Sequence, residues 1–568
     1  MAEVGLGAGR EWMTGIPSVG NPARAGVALS VWSAKELREQ QMKAIIATLS
    51  LTPLMLAQSG PWFGTPLPPG LSDPWKPVMD YTTGFEPLPA EFPHRPGKHD
   101  ELLDGTALRK DLRTIIGFSR ESYDSGEKLW GRRATTPAFH HAMEWAAAEL
   151  KAAGLNDARV EKFPVPGTMW VAKSWRVQLN GDPAFGAGTQ NLTLQSAYPQ
   201  NGGASTPPGG LTAPLIFVGR GTPADLVGRD LKGKIAVVHV RPEPGLFGAA
   251  ETGTSTQLTK LGAVAVISAI EGPGNMQYFD GRFACGTAPC FMIGGNDAWF
   301  LEQVYGKAAA EMPDKLKATL TLETEQKGGL VSANAFATIP GSGPGRIIIN
   351  AHVDGQFQAA DDNGSGFATL MALARYFAKQ PQPRHTLMFV ASGGHHGPGN
   401  GPASLVVAHP ELKDGTALVI NLEHVAYSDS VRGQQRAKDN FGVTWNTSVT
   451  ESAKVAGVTN LAPYMVDVWR QAPRCFGVVI YQQILNIVPG DPGGYRPLNV
   501  PMTQMIQAGS FYHTSGDVFE QVPAEGMERA ARFHAFMIEA ADRADDALLK
   551  GAQGSLGNPS CASILNRN

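Results

Sequence analysis

The chain has 568 residues, more than one ordinary core organises, so two or more globular units are expected. Hydrophobic residues at 43% and charged residues at 17% exclude a wholly disordered polymer. With 48 basic against 51 acidic side chains, the net charge of −3 gives no electrostatic footprint for nucleic acid or an anionic membrane, and neither is expected as a partner.

The long apolar run near the start, residues 44–57, follows Met42-Lys43 and precedes Gln58-Ser59-Gly60. It is too short to span a bilayer comfortably and suits the apolar region of a secretory signal, so no stable membrane span is expected. On this reading Met42 is the natural start, residues 1–41 are an over-extended gene start, and the mature protein begins between Gln58 and Gly60. The product is then exported, periplasmic or extracellular. The other reading is a buried helix at the head of the fold. Residues 61–96 are rich in Pro and are expected to wrap over a folded body in extended form. Next, Thr136-Pro137 supplies a cap and a first-turn proline, and Phe139, Met143, Ala147 and Leu150 recur at helical spacing up to Gly154. Residues 158–163 read as the strand that follows.

From 188 to 327 short apolar strands are separated by Gly and Pro, the clearest being 215–218, 234–239 and 263–268. No His, Asp or Glu cluster with metal spacing occurs there. A small β-rich domain inserted into the main one is expected, and its deletion should leave metal binding intact. The four cysteines, Cys285, Cys290, Cys475 and Cys561, fit two disulfides, and Cys285 and Cys290 are near enough to close a small loop. Neither pair has the C-x-x-C spacing of a zinc site.

Beyond residue 327 strands and helices alternate: strands 346–350, 386–391, 417–422 and 503–506, helices 366–379 and 527–543. Apolar strands with little alternation imply a sheet covered on both faces, so the fold class is α/β, a helix-layered, mostly parallel sheet. The division is a leader to residue 59, a main domain made of 60–187 and 328–550, the insert 188–327, and a tail 551–568.

In such sheets functional residues gather at the carboxyl ends of strands. Here those ends deliver Ala351-His352-Val353-Asp354, then Asp361-Asp362-Asn363, His395-His396, Glu423-His424 and Tyr512-His513. Five successive loops carrying His or carboxylate imply a metal centre, and mixed nitrogen and oxygen donors suit zinc before manganese or cobalt.

On these residues the chain resembles the co-catalytic zinc exopeptidases, a family that includes bacterial leucyl aminopeptidases and plasma glutamate carboxypeptidase. The resemblance runs over about 111–545, and the insert is similar to a protease-associated domain through Asp230-Leu231-Lys232-Gly233-Lys234-Ile235 and Gly262-Ala263-Val264. It implies two divalent ions, most simply zinc, and a peptide or small amide as substrate. It also implies that His352 binds one ion and Asp354 orients it, and that Asp362 bridges both ions. Asp491, Tyr495 and Pro501 match a later family motif, followed by Tyr512-His513-Thr514 and Asp517, so His513 falls on the second ion's histidine. Tyr495 and Tyr512 are expected to touch substrate, and the segment 464–496, with Trp469, Arg470, Phe476 and Tyr481, to line the pocket.

The chain departs from the family at the two adjacent glutamates followed by x-Gly, where it reads Gly394-His395-His396-Gly397. A gapless match at Gly397 puts Gly394 at the general base and His395 at the metal ligand, on the ion also held by His513 and bridged by Asp362, with Glu423 kept as the further acidic ligand on the site of His352. His396 is then the nearest acid–base replacement. His for Glu keeps a donor but removes a negative charge, so a bound pair would acidify water more strongly. Restoring the pair by Gly394→Glu with His395→Glu should then raise exopeptidase activity. The expected function is a metal-dependent hydrolase of peptide or related amide bonds. The alternatives are a non-catalytic metal- or peptide-binding homologue and a hydrolase of a non-peptide amide or ester.

Overall fold

The computed structural model describes residues 99–551 except 186–188, 241–253, 281–284, 287, 313, 438–439, 452–453, 460–463, 466–467, 470–474, 479, 485–487, 489 and 507–510. The expected leader, the Pro-rich stretch and residues 552–568 lie outside the described residues. No described helix is long and apolar enough to cross a membrane.

The main sheet has eight strands in the spatial order Arg159–Pro164, Val331–Ile339, Thr386–Ser392, Arg346–His352, Thr416–Leu422, Met502–Ile506, Lys454–Thr459 and Ile480–Ile484. It is mixed, where a mostly parallel sheet was expected. The four strands from Thr386–Ser392 to Met502–Ile506 run parallel, and antiparallel neighbours flank them on both sides. The reason is connectivity: Val331–Ile339 arrives from the second sheet and pairs antiparallel on one side, and Lys454–Thr459 does so on the other.

The central strands are apolar on both faces because both are covered. Ile347 and Ile349 face a core built with the helices Gly105–Asp124, Pro137–Ala152, Gly366–Phe377 and Ala524–Arg543. Ile348 faces the opposite cluster with Met388, Val419 and Tyr495. The helix Pro137–Ala152 starts as its sequence implies, with the Thr136 hydroxyl accepting from the Phe139 N–H. The preceding helix, Gly105–Asp124, buries Leu108, Leu112 and Ile115 at helical spacing and is capped by Asp104.

A second eight-stranded sheet has the order Leu192–Thr193, Met169–Leu179, Lys317–Lys327, Leu211–Phe217, Ile235–Val240, Ala265–Ile270, Cys290–Ile293 and Tyr198–Pro199. It takes in Met169–Leu179, ahead of residue 188, and its four strands from Leu211–Phe217 to Cys290–Ile293 are parallel. Its core is continuous with Leu129 and Phe357 of the main body. Cys285 and Cys290 form a disulfide, and Cys475 is also disulfide-bonded.

One ionic clasp, at the amino-terminal end of a central strand, gives a pH prediction. His385, 1% exposed, precedes the strand Thr386–Ser392 and lies 3.3 Å from Asp542, near the end of the closing helix, and 3.1 Å from Asp546, just beyond it. Burial works to lower its pKa, but hydrogen bonds and charge from the two carboxylates outweigh it and raise the value above 6.5. A raised folded-state pKa contributes stability that is complete below the unfolded value and is lost as pH rises through the folded one. Thermal stability is therefore expected to fall as pH climbs above about 6.5, and this part of the slope should vanish in His385→Gln. Parallel melting curves for the two proteins over that range would refute it.

Candidate metal centre

The ligand-bearing loops leave the parallel strands at their carboxyl ends, as alternation of strand and helix dictates. His352 is the last residue of Arg346–His352, and Glu423-His424 follow Thr416–Leu422 directly. The two glycines after Ser392 let the chain turn sharply toward His395 and His396, Gly394 with φ of 84°. His424 at φ 49° and His513 at φ 58° also hold left-handed backbone, which costs a β-carbon-bearing residue about 1–3 kcal/mol. The His424 N–H donates to Asn363 Oδ1 at 3.2 Å, one of the contacts that impose this conformation.

Asp362 is the focus. Its Oδ1 lies 2.9 Å from His396 Nε2, 3.0 Å from His424 Nε2 and 3.4 Å from His352 Nε2, and its Oδ2 lies 3.1 Å from His513 Nε2. Two donors on one tetrahedral zinc are about 3.3 Å apart, given bond lengths of about 2.0–2.2 Å, so the spacing fits shared ions. The donors fall into groups: His352, Asp362 and His424; Asp362, His396 and His513; and His352, His395 and His396, each with ligand atoms within 4.8 Å of one another. The buried Nε2 atoms of His352 and His513 make no hydrogen bond. That is the state expected of imidazoles whose lone pairs await a cation.

Outer partners set the tautomers. His352 Nδ1 lies 3.0 Å from the backbone carbonyl of Asp354, so Asp354 orients this ring through its main chain. The Asp354 carboxylate instead accepts the N–H groups of His395 and His396 at 3.1 and 2.7 Å, fixing the turn that carries them. Asp517 likewise accepts the N–H groups of Asp361 and Asp362 at 2.8 and 3.1 Å. His395 is held differently from His396. Its ring stacks on His352 at 4.0 Å, its Nδ1 lies 2.8 Å from Asp491 Oδ1, and its Nε2 lies 3.6 Å from Glu423 Oε1. The gapless match expected His395 beside Asp362 and His513; the geometry has His396 there, one residue further along.

Glu423 accepts from Asn421 Nδ2 at 2.9 Å and faces His395, while its neighbour His424 approaches Asp362. Reading along the chain singled out Glu423 and passed over His424. The adjacent histidine in a strand-end loop was the available signal. Tyr495 is fully buried, with its hydroxyl donating to Asn350 Oδ1 at 2.9 Å. Tyr512 stacks on His513 at 3.6 Å and borders the centre. Trp469 and Phe476 pack on Phe533 in the main core.

Electrostatics follow from burial against pairing. Burial alone would raise the Asp362 pKa, but His396 and His424 hold it well below the carboxylate range. Burial pushes Glu423 up to about 7 and Asp354 up to about 6. Burial also opposes the charge on His395, yet Glu423 and Asp491 raise it to about 10. Burial, with the neighbouring His395 and His513, lowers His396 to about 4. Arg132, wholly buried, donates to the carbonyls of Val353, Gln358 and Ala359 and so braces the loop before Asp362.

Gly394 cannot accept the glutamate that the family pattern suggested. A Cβ there would lie 2.7 Å from the Gly399 carbonyl carbon and 2.8 Å from its oxygen, on left-handed backbone. Gly394→Glu is expected to destabilise the protein by at least the about 1–3 kcal/mol typical of overpacking, read as a lower denaturation midpoint. An unchanged midpoint would contradict the packing described.

Residue 280 contributes a contact that sequence reasoning missed. Its carboxylate oxygen lies 2.8 Å from His513 Nδ1, although it belongs to the stretch 188–327, expected to take no part in the centre. Nothing near Asp280 in sequence has metal spacing, so only the folded chain reveals it.

Comparison with known proteins agrees with this architecture. Residues 334–538 match the sequence profile of peptidase family M28. No curated protein sequence matches the chain. Among solved structures, a peptidase M28 precursor from Shewanella amazonensis SB2B is similar with a TM-score of 0.57 and 18% identity, over 80% of this chain and 100% of that one. BSAP, a zinc aminopeptidase from Bacillus subtilis, gives 0.54 and 19% over 79% and 98%. An aminopeptidase from Aneurinibacillus sp. strain AM-1 gives 0.51 and 19% over 80% and 98%. These likenesses establish a shared fold. The matched segment 334–538 contains every histidine of the centre, and over that segment the chain is similar to peptidase family M28.

Proposed function

We propose that the protein is a metal-dependent exopeptidase-like hydrolase acting on peptide or related small amide bonds, with a variant, histidine-rich centre. The observation that carries this reading is the convergence of four imidazole Nε2 atoms on the single carboxylate of Asp362. His352, Asp362 and His424 would hold one ion; Asp362, His396 and His513 would hold a second, with zinc the best match to the donors. When bound, the ions supply Lewis acidity and acidify water. The chain's own part is positional and protonic. Asp354 fixes the backbone of the two histidines, Asp491 orients His395, and His395, whose Nε2 lies 3.6 Å from Glu423, would hold the proton for a departing amine. Two structural relatives described as aminopeptidases support an amide bond next to a free amino terminus as the target. We read the second sheet as a protease-associated-type insert.

The second reading is a homologue that binds metal or peptide without turnover. It is favoured by one observation, the absence of a carboxylate at 394–396. Metal content and hydrolysis of aminoacyl amides, dipeptides and esters, before and after chelation, separate the two. Chelator-sensitive amide turnover supports the hydrolase. Stoichiometric metal with no turnover on any of them supports the binding protein.

A further inference from the structure

The loop that carries His513 is knitted to residues 276–280 from the stretch between strands of the second sheet. Phe279 N–H donates to the His513 carbonyl at 3.1 Å, Ser515 N–H donates to the Gln277 carbonyl at 2.8 Å, and Tyr278 and Thr514 form an antiparallel bridge. The Gln277 N–H adds a bond to Ser515 Oγ at 3.0 Å. At the end of this seam Asp280, 5% exposed, places Oδ2 at 2.8 Å from His513 Nδ1. Asp280 is itself fixed: its N–H donates to Gln200 Oε1 at 3.1 Å, and the Tyr278 hydroxyl donates to its Oδ2 at 3.3 Å. Gln200 is fully buried and also donates to the Tyr278 carbonyl at 2.8 Å.

We propose that Asp280 is a positioning residue of the metal centre, so that the second sheet completes one of its two ion sites. An imidazole binds a cation only through the nitrogen that lacks a proton, and a neutral histidine has two tautomers. Acceptance of the Nδ1 proton by Asp280 leaves the lone pair on Nε2, which points at Asp362 from 3.1 Å. His352 receives the same service from the Asp354 carbonyl, inside the main domain. The two ion sites therefore differ in origin. In one, His352 is oriented by a carbonyl from within 334–538, and the other depends on a carboxylate reached only through the second sheet. Removing 188–327 would take away this orienting group and the backbone seam together, so the centre would not keep its full metal complement.

This inference rests on the metal-centre reading and can fail without it. Zinc titration of the full chain by calorimetry, together with the visible spectrum of the cobalt-loaded protein, tests it in Asp280→Ala and Asp280→Asn. Loss of an outer-shell partner typically weakens metal binding about 10–100-fold. Asp280→Ala is expected to lose that much at one site and nothing at the other, with a changed cobalt spectrum, and its metal-free form should melt lower because the buried Tyr278 hydroxyl and His513 lose their acceptor. Asp280→Asn, which keeps an acceptor oxygen, should recover part of the affinity. Two wild-type affinities in Asp280→Ala overturn the proposal. If Asp280→Ala does not fold, Asp280→Asn decides: weakening at one site supports the role, wild-type binding at both overturns it. A wild-type chain that binds no zinc overturns the metal reading and this proposal with it.

Discussion

Replacing Asp362 by Ala is expected to abolish metal binding at both sites and to reduce turnover by at least about 10³-fold, the modest end for chemistry whose total enhancement is commonly about 10⁶-fold or more. The reason is topological: this carboxylate faces four imidazoles, three at Oδ1 and one at Oδ2, so no ion can be held by either group without it. Its loss also strands His396 and His424 in a buried setting without their nearest negative charge. Removing one partner of a buried pair costs about 3–5 kcal/mol, so the metal-free variant should melt lower than the metal-free wild type. Elemental analysis and calorimetric melting check both parts. Retention of two ions in the variant would refute the centre as described.

The second large effect separates adjacent histidines. His396→Ala is expected to reduce metal stoichiometry from two to one, because His396 shares Asp362 with His513, while His352 and His424 keep their own group. His395→Ala is expected to keep both ions and lose about 10²–10⁴ in turnover, the range for a positioned acid–base group. Its ring reaches Asp491 and Glu423 but does not approach Asp362 as closely as its neighbour does. The opposite pattern, metal lost with His395 and kept with His396, would restore the register inferred from Gly397. Measuring stoichiometry alongside kcat makes the two outcomes distinct.

Much of the frame was legible from one chain because it follows local rules. The apolar strands at Ile347–Ile349, Leu387–Val390 and Leu418–Ile420 are buried on both faces, and no other environment suits such runs. Thr136-Pro137 and the glycines around 364–366 mark helix starts by their own chemistry. The order of strand and helix then sends His352, Asp362, His395, His396 and His513 to one end of a sheet, which is why their association could be expected at all.

What tertiary structure alone decided are the matters of register and of distant partners. Which of His395 and His396 reaches Asp362 depends on a left-handed glycine and on two N–H groups captured by Asp354, a difference of one residue that sequence spacing does not resolve. Whether Glu423 or His424 faces Asp362 depends on the positive φ of His424 and on Asn421 claiming the glutamate. The separation of 233 positions between Asp280 and His513 leaves no local trace of their contact. Side-chain periodicity encodes which face of an element is buried, but the aim of a single imidazole is fixed by the hydrogen bonds around it, and those come from wherever the fold brings a donor or acceptor within 3 Å or so.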